Sequence, residues 1–172
     1  MEFQEELYAR AVAAVEVEVR APREGDVEVL AELRAEVLRA DLERLGRYDE
    51  LGVRRRLRDS FSVEHSSVLV VGGQVVGCFT VRPDQGGLLL EHFYLAAEYQ
   101  GQGIGSGVLR GVLERADAQG MTVRLNVLRG SAAQGLYERY GFVVEVQDEV
   151  DVFMVRAAVR RVGSMLPSGI DS

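Results

Sequence analysis

Hydrophobic and polar positions in the first third of the chain follow two different periods. Strict alternation over residues 15–20, VEVEVR, predicts a strand with one exposed face. Apolar residues at Val27, Leu30, Leu33 and Val37 recur with helical spacing, and they predict a long helix that Asp26 caps and that ends near residue 46. Shorter helices are predicted at residues 3–14 and 50–60.

From residue 67 onward strand patterns dominate. SVLVV, a Gly72-Gly73 turn and QVVGCFTV predict a hairpin, and LLLEHFYL continues as a third strand after a turn at residues 83–87. The pattern next predicts a helix over residues 104–119 and a strand over MTVRLNVL. A further helix is predicted from Ser131, where Gln134 completes a capping-box pattern. FVVEV and DVFMVRA predict a final hairpin. This order predicts an α/β (α+β) domain with one mixed sheet, and we expect an N-terminal helical extension at 1–14, the domain at 15–157 and a flexible tail at 158–172.

Composition narrows the class of protein. The 172 residues with 47% hydrophobic content suit one domain, and 20 basic against 27 acidic residues argue against a nucleic acid partner. One cysteine and two histidines provide neither a disulfide framework nor a metal-binding set, so we expect Cys78 to be a core residue. The N-terminus lacks a secretory pattern and no apolar run is long enough for a membrane helix, which predicts a cytoplasmic protein.

Alternating glycines at positions 101, 103, 105 and 107 separate a predicted strand from a predicted helix. Such turns bring backbone amides close to phosphate oxygens at a helix N-terminus. A P-loop requires a lysine, and this chain has none. A dinucleotide fingerprint G-x-G-x-x-G/A fails too, because Ser106 or Val108 occupies its last position.

The segment QGQGIG at residues 100–105 matches a third phosphate-binding signature, Q/R-x-x-G-x-G/A. Together with VRLNVL and LYERYGF downstream, it resembles the GCN5-related N-acetyltransferase (GNAT) family over residues 15–156. The resemblance implies a mostly antiparallel sheet of about six or seven strands with helices on both faces. It also implies acetyl-CoA as the acyl donor and an amine as the acceptor.

The resemblance further implies where the cosubstrate binds. Backbone amides of the glycine segment would hold the pyrophosphate, and the backbone of the preceding strand would pair with the pantetheine arm. Ser131 occupies a position near the pantetheine, although a helix cap explains it equally well. The implied cofactor-binding residues are Phe93, Tyr94, Leu95, Gln100, Gly101, Gln102, Gly103, Ile104, Gly105 and Ser131.

Two residues are the candidates for catalysis. Glu91 shares a strand face with Leu89, Phe93 and Leu95, so we expect its charge to lie among apolar neighbours as the base that deprotonates the amine. Tyr137, in LYERYGF, matches the family tyrosine that protonates the departing thiolate. We expect His92 to point to the face opposite Glu91 and to have no catalytic role.

The acceptor is the least determined part. The predicted loops at residues 46–50 and 147–151 are acidic, which would suit a cationic amine, and Tyr48, Glu50, Asn126 and Asp151 are the candidate substrate-binding residues. We expect a small-molecule amine, with an amino-acid-like amine and a peptide N-terminus also open, and a monomer or homodimer. Protein or peptide N-acetylation, or a non-catalytic acyl-CoA-binding sensor, are the alternatives.

Overall fold

A computed structural model describes residues 15–160, which fold around one seven-stranded sheet. The strands are β1 (Glu18–Arg20), β2 (Ser66–Val71), β3 (Gln74–Asp84), β4 (Gly87–Leu95), β5 (Val123–Leu128), β6 (Val143–Gln147) and β7 (Asp151–Arg156). Their spatial order is β1-β2-β3-β4-β5-β7-β6, and β4 with β5 is the parallel pair among antiparallel ones. The predicted mixed sheet is confirmed.

Within residues 15–160, four α-helices cover the two faces of the sheet, as predicted. They are α1 (Asp26–Arg44), α2 (Glu50–Ser60), α3 (Ile104–Ala118) and α4 (Ala132–Arg139), and a 3-10 turn at Ala97–Tyr99 precedes α3. The core between the sheet and α3 and α4 is the larger one. A smaller core lies beneath α1 and α2 and contains Leu30, Leu57 and Val68, each completely buried.

Strand and helix ends depart from the sequence prediction at three places. β1 is shorter than residues 15–20, because three of its residues pair with β2. Helix α1 has Gly25 as its N-cap, so the predicted Asp26 cap is wrong: the Asp26 carboxylate instead binds the guanidinium of Arg20 at 2.7 Å and the amide of Arg23 at 2.6 Å. The predicted helix at 3–14 and most of the predicted tail lie outside the described residues.

The third departure concerns the start of α4. Ser131 is the N-cap residue, but its hydroxyl makes no capping hydrogen bond. The Gln134 side chain accepts a hydrogen bond from the amide of Gly130 at 3.3 Å instead. The predicted capping box is therefore incomplete, and the Ser131 hydroxyl remains available to another partner.

A β-bulge interrupts β4 at His92. Thr80 of β3 faces Glu91 and Cys78 faces Tyr94, so β4 has one more residue than β3 in this interval. His92 adopts a φ of 47°, which is unusual for a residue other than glycine. The bulge reverses the alternation of side chains beyond Glu91, as β-bulges do.

Candidate active site

A cleft opens where β4 and β5 separate. The two strands pair from Leu88 to Leu90 and from Val123 to Leu125, and beyond these residues the pairing ends although both strands continue. The cleft has a volume of about 1770 Å³, more than the roughly 300–1,000 Å³ of a typical small-ligand site. It therefore has room for a large ligand together with a second, smaller one.

The glycine segment forms one wall of this cleft. Gly101 and Gly103 have φ values of 75° and 83°, and Gly103 is the N-cap of α3. The first amides of a helix have no partners within the helix, so this end is a favourable place for an anion. The side chains of Gln100 and Gln102 donate to the carbonyls of Leu95 at 2.8 Å and Glu98 at 2.9 Å, which fixes the loop.

Not every residue of the predicted signature lines the cleft. Gln100, Gly101, Gly103 and Gly105 line it. Ile104 is buried in the larger core at 1% exposure, and the Gln102 side chain is held by the loop. For these two residues the backbone is the part that can contact a phosphate.

The predicted pantetheine-binding residues lie on the β4 side of the cleft. Phe93 and Leu95 belong to the α3 and α4 side of the sheet, where the Phe93 ring meets Phe79 edge to face at 6.4 Å. Tyr94 packs into the smaller core beneath α1. The expectation that Glu91 shares a face with Phe93 and Leu95 is therefore wrong, because the bulge at His92 shifts the alternation by one residue.

The expectation that Glu91 lies among apolar side chains is also wrong. Its Oε1 accepts a hydrogen bond from Arg82 Nε at 2.6 Å, and Oε2 lies 3.4 Å from Arg82 Nη2. Its side chain is 23% exposed. Glu91 lines the cleft as an ion-paired carboxylate, and alternation along one strand could not reveal the arginine on β3.

Tyr137 lines the cleft from α4. It is 7% exposed, and its ring meets Phe142 edge to face at 5.7 Å. Burial raises the pKa of its hydroxyl, so Tyr137 keeps its proton at neutral pH. A protonated phenol facing the cleft is a possible proton donor.

Ser131 also lines the cleft, and its hydroxyl oxygen is buried without a hydrogen-bond partner among residues 15–160. A buried polar atom without a partner is unfavourable by about 1–3 kcal/mol. A ligand with a polar group in the cleft would remove this cost. The position therefore fits the cosubstrate contact that the resemblance implies.

The candidate acceptor-binding residues fall into two groups. Asn126 and Asp151 line the cleft, and Asn126 Nδ2 donates to Asp151 Oδ1 at 3.2 Å. Tyr48 and Glu50 do not line it. The Tyr48 ring lies under the guanidinium of Arg39, with 5.0 Å between the guanidinium carbon and the ring centre.

A polar network beside the cleft was not expected from the sequence. His92 Nε2 lies 2.8 Å from the hydroxyl of Ser60 at the end of α2, and His92 Nδ1 lies 3.3 Å from the hydroxyl of Tyr94. Tyr94 accepts a hydrogen bond from Arg34 Nε at 2.9 Å. The bulge turns His92 toward α2, on the side where Glu91 lies, so the expectation that it points to the opposite face is wrong.

Burial, together with the charges of nearby arginines, lowers the pKa of His92, and the imidazole is therefore neutral at pH 7. Cys78 is fully buried, and burial raises the pKa of its thiol to about 12. A thiol with that pKa is not a nucleophile at neutral pH. Cys78 is the core residue that the sequence predicts.

No group of three or more histidine, cysteine, aspartate or glutamate side chains within residues 15–160 is arranged to hold a metal ion. None of the helices in this part of the chain is long and apolar enough to cross a membrane.

Solved structures share this fold over most of the chain. PaiA N-acetyltransferase from Thermoplasma acidophilum, in complex with coenzyme A, has a TM-score of 0.65 at 22% identity, covering 82% of this chain and 98% of that chain. PH1933 from Pyrococcus horikoshii has a TM-score of 0.63 at 23% identity, with coverages of 84% and 99%. The ribosomal-protein-S18-alanine N-acetyltransferase from Escherichia coli has a TM-score of 0.62 at 15% identity, with coverages of 87% and 98%. At these identities the likeness shows the fold alone.

The sequence carries the more specific information. No curated protein sequence matches the chain. Residues 64–144, which span β2 to the start of β6 and include the glycine segment, match the model of the acetyltransferase (GNAT) domain. This match identifies residues 64–144, which surround the cleft, as an acetyltransferase (GNAT) domain.

Proposed function

We propose that the protein is an acetyl-CoA-dependent N-acetyltransferase that acts on a small-molecule primary amine. The observation that carries the proposal is the cleft between β4 and β5, because one wall is a helix N-terminus preceded by two left-handed glycines and the opposite side contains an ion-paired carboxylate. An anionic cosubstrate and an amine can meet in this cleft. The proposed transfer is direct, because a thioester is already an activated acyl donor and the single cysteine, buried and protonated, does not serve as a nucleophile.

The residues of the cleft fit the cosubstrate. The amides at the start of α3 would bind the pyrophosphate, the backbone of Phe93 to Leu95 would pair with the pantetheine amides, and the Ser131 hydroxyl would gain its missing partner. Bound there, acetyl-CoA supplies an acyl group that its thioester already activates. Glycine is favoured at 101 and 103 because the loop takes a left-handed conformation at both positions.

Glu91 is the proposed base. An alkylammonium with a pKa of about 10.4 is neutral in about 1 molecule in 2,500 at pH 7, a cost of about 4.6 kcal/mol. Arg82 donates to Oε1 at 2.6 Å and to Oε2 at 3.4 Å, so Oε2 is the more weakly held oxygen and the one that would accept the amine proton, directly or through water. The ion pair then serves to orient the carboxylate.

Tyr137 is the proposed acid. Its hydroxyl keeps its proton at neutral pH, and its ring is fixed against Phe142. It would donate that proton to the departing sulfur. A general acid or base of this kind contributes about 10²- to 10⁴-fold to the rate.

The test measures thiol release from acetyl-CoA with a panel of small amines and peptides. We expect Glu91→Gln and Tyr137→Phe to lower kcat by about 10²-fold or more while coenzyme A affinity stays within about twofold, because the first variant removes the proton acceptor, the second removes the proton donor, and both keep the side-chain shape. Glu98→Gln and Tyr140→Phe are matched controls, since neither residue lines the cleft.

Three outcomes separate the alternatives. Unchanged turnover in both variants would refute the assigned base and acid. Release with peptides but with no small amine would identify peptide N-acetylation instead. Tight coenzyme A binding without release for any acceptor would identify a sensor.

A further inference from the structure

Helix α2 has four arginines that divide between two environments. Arg54 binds both oxygens of Glu32 on α1, at 2.7 and 3.0 Å. Arg58 binds Glu28 on α1 at 2.7 Å. These two ion pairs join α2 to α1, and both lie away from the cleft.

Arg55 and Arg56 point in a different direction. Both line the cleft, together with Ser60 one turn further along α2. Within residues 15–160, neither guanidinium has a hydrogen-bonded or ion-paired partner. The charge of Arg56 contributes to lowering the pKa of His92, which places it near the β4 bulge.

The carboxylates of the same cleft are mostly occupied. Glu91 binds Arg82, and Glu145 binds Arg124. Asp148 accepts hydrogen bonds from the amides of Val150 and Asp151. Asp151 in turn accepts one from Asn126, and Asp41 binds Arg44. Most acidic residues of the cleft are thus committed, although Asp59, Asp84 and Glu149 have no hydrogen-bonded or ion-paired partner among residues 15–160. The cleft arginines without such a partner are Arg47, Arg55, Arg56 and Arg139, and Arg55 and Arg56 are the two on α2.

The two free arginines are also on the wrong side of the sheet for the phosphates of the cosubstrate. The glycine segment begins α3, on the larger-core side, whereas α2 covers the opposite face. A guanidinium binds carboxylates and phosphates through parallel hydrogen bonds, and with the cosubstrate phosphates placed on the other side a carboxylate is the remaining partner. The ligand of Arg55 and Arg56 is therefore to be sought in the acceptor.

We infer that the acceptor is a small amine that also carries a carboxylate, as a free amino acid does, and that Arg55 and Arg56 bind this carboxylate while the amine faces Glu91. The inference rests on the proposed acetyl transfer and specifies its substrate class. It replaces the purely cationic amine that the acidic loops predict.

The first experiment compares thiol release with L-amino acids and with their α-carboxamides. We expect kcat/KM to fall by about 10- to 100-fold from each accepted amino acid to its amide, because a charge-assisted hydrogen-bonded pair is lost. In the variant with both Arg55→Gln and Arg56→Gln, we expect the two rates to differ by less than about threefold, with coenzyme A affinity unchanged. Arg58→Gln is the matched control on the same helix and should keep the full preference.

The second experiment measures binding without turnover. N-acetyl amino acids and their amides are titrated by calorimetry into the wild-type protein and the same variants in the presence of coenzyme A. We expect saturable binding of at least one carboxylate probe and at least tenfold weaker binding by the double variant. Circular dichroism and coenzyme A binding verify that the double variant is folded.

The outcomes distinguish this inference from the proposed function. Equal use of acids and amides, or a preference that survives in the double variant, overturns the inference and leaves acetyl transfer standing. Absence of saturable binding of every carboxylate probe overturns it as well. Carboxylate binding that depends on Arg55 and Arg56 supports the inference, and if no amine then causes thiol release, acetyl transfer is the part that fails.

Discussion

Substitution of two glycines of the same segment by alanine should have opposite effects on stability. Gly103 has a φ of 83° as the N-cap of α3, whereas Gly105 lies inside the helix. An alanine in the left-handed region costs about 1–2 kcal/mol, partly offset by the lower entropy of the unfolded chain. We expect Gly103→Ala to destabilise the protein by about 1 kcal/mol.

Gly105→Ala should stabilise it. Alanine is better than glycine in a helix by about 0.8–1.0 kcal/mol. A Cβ at this position would meet the Phe93 ring at 3.8 Å, an ordinary contact, and no other heavy atom within 4 Å. For a chain of this length 1 kcal/mol shifts Tm by about 2–4 °C, so the two variants should differ by about 4–8 °C in calorimetry.

The variant Gly105→Ala should bind the cosubstrate more weakly although it is more stable. The residue lines the cleft, and the added methyl group would occupy space that a phosphate needs in order to approach the helix amides. We expect Gly105→Ala to weaken coenzyme A binding by on the order of tenfold, about 1.4 kcal/mol, in a calorimetric titration. Equal Tm changes in the two variants, or wild-type coenzyme A binding by Gly105→Ala, would refute the reasoning.

Three further predictions concern buried groups. Cys78 should not react with a thiol reagent in the folded protein and should react in urea, because its pKa is about 12 and it is fully buried; labelling of the native state would contradict this. The pKa of His92 is lower in the folded protein than in the unfolded chain, so His92 stabilises the folded state above pH about 6.5, and this contribution is lost as the pH falls through the folded-state pKa. We therefore expect His92→Gln to lose less stability than the wild type between pH 7 and pH 5, measured by urea titration at both values. Arg34→Met should destabilise by about 1–3 kcal/mol, because it removes the buried hydrogen bonds that Arg34 donates to the Tyr94 hydroxyl and to the Val53 carbonyl. Arg39→Met at an exposed ion pair should change stability by less than about 0.5 kcal/mol in the same urea titration.

The sequence alone was sufficient for features that depend on neighbouring residues. The hairpin at Gly72-Gly73, helix α2 and the glycine segment before α3 are all where the local pattern predicts them. Strand and helix periods, and glycines with positive φ, are determined by short-range sterics and by the alternation of apolar positions. The order of these elements then indicated the family.

The tertiary structure decided which side chains meet in the cleft. Arg82 reaches Glu91 from another strand, and the bulge at His92 appears only when β4 is paired with β3, because the extra residue is defined by the register of two strands. Arg55 and Arg56 differ from Arg54 and Arg58 by the packing of α2 on α1, which pairs two of the four with glutamates and leaves the other two at the cleft. Sequence periodicity predicts the face of a helix or strand, but the charge that finally lies opposite each side chain is set by contacts between residues far apart in the chain.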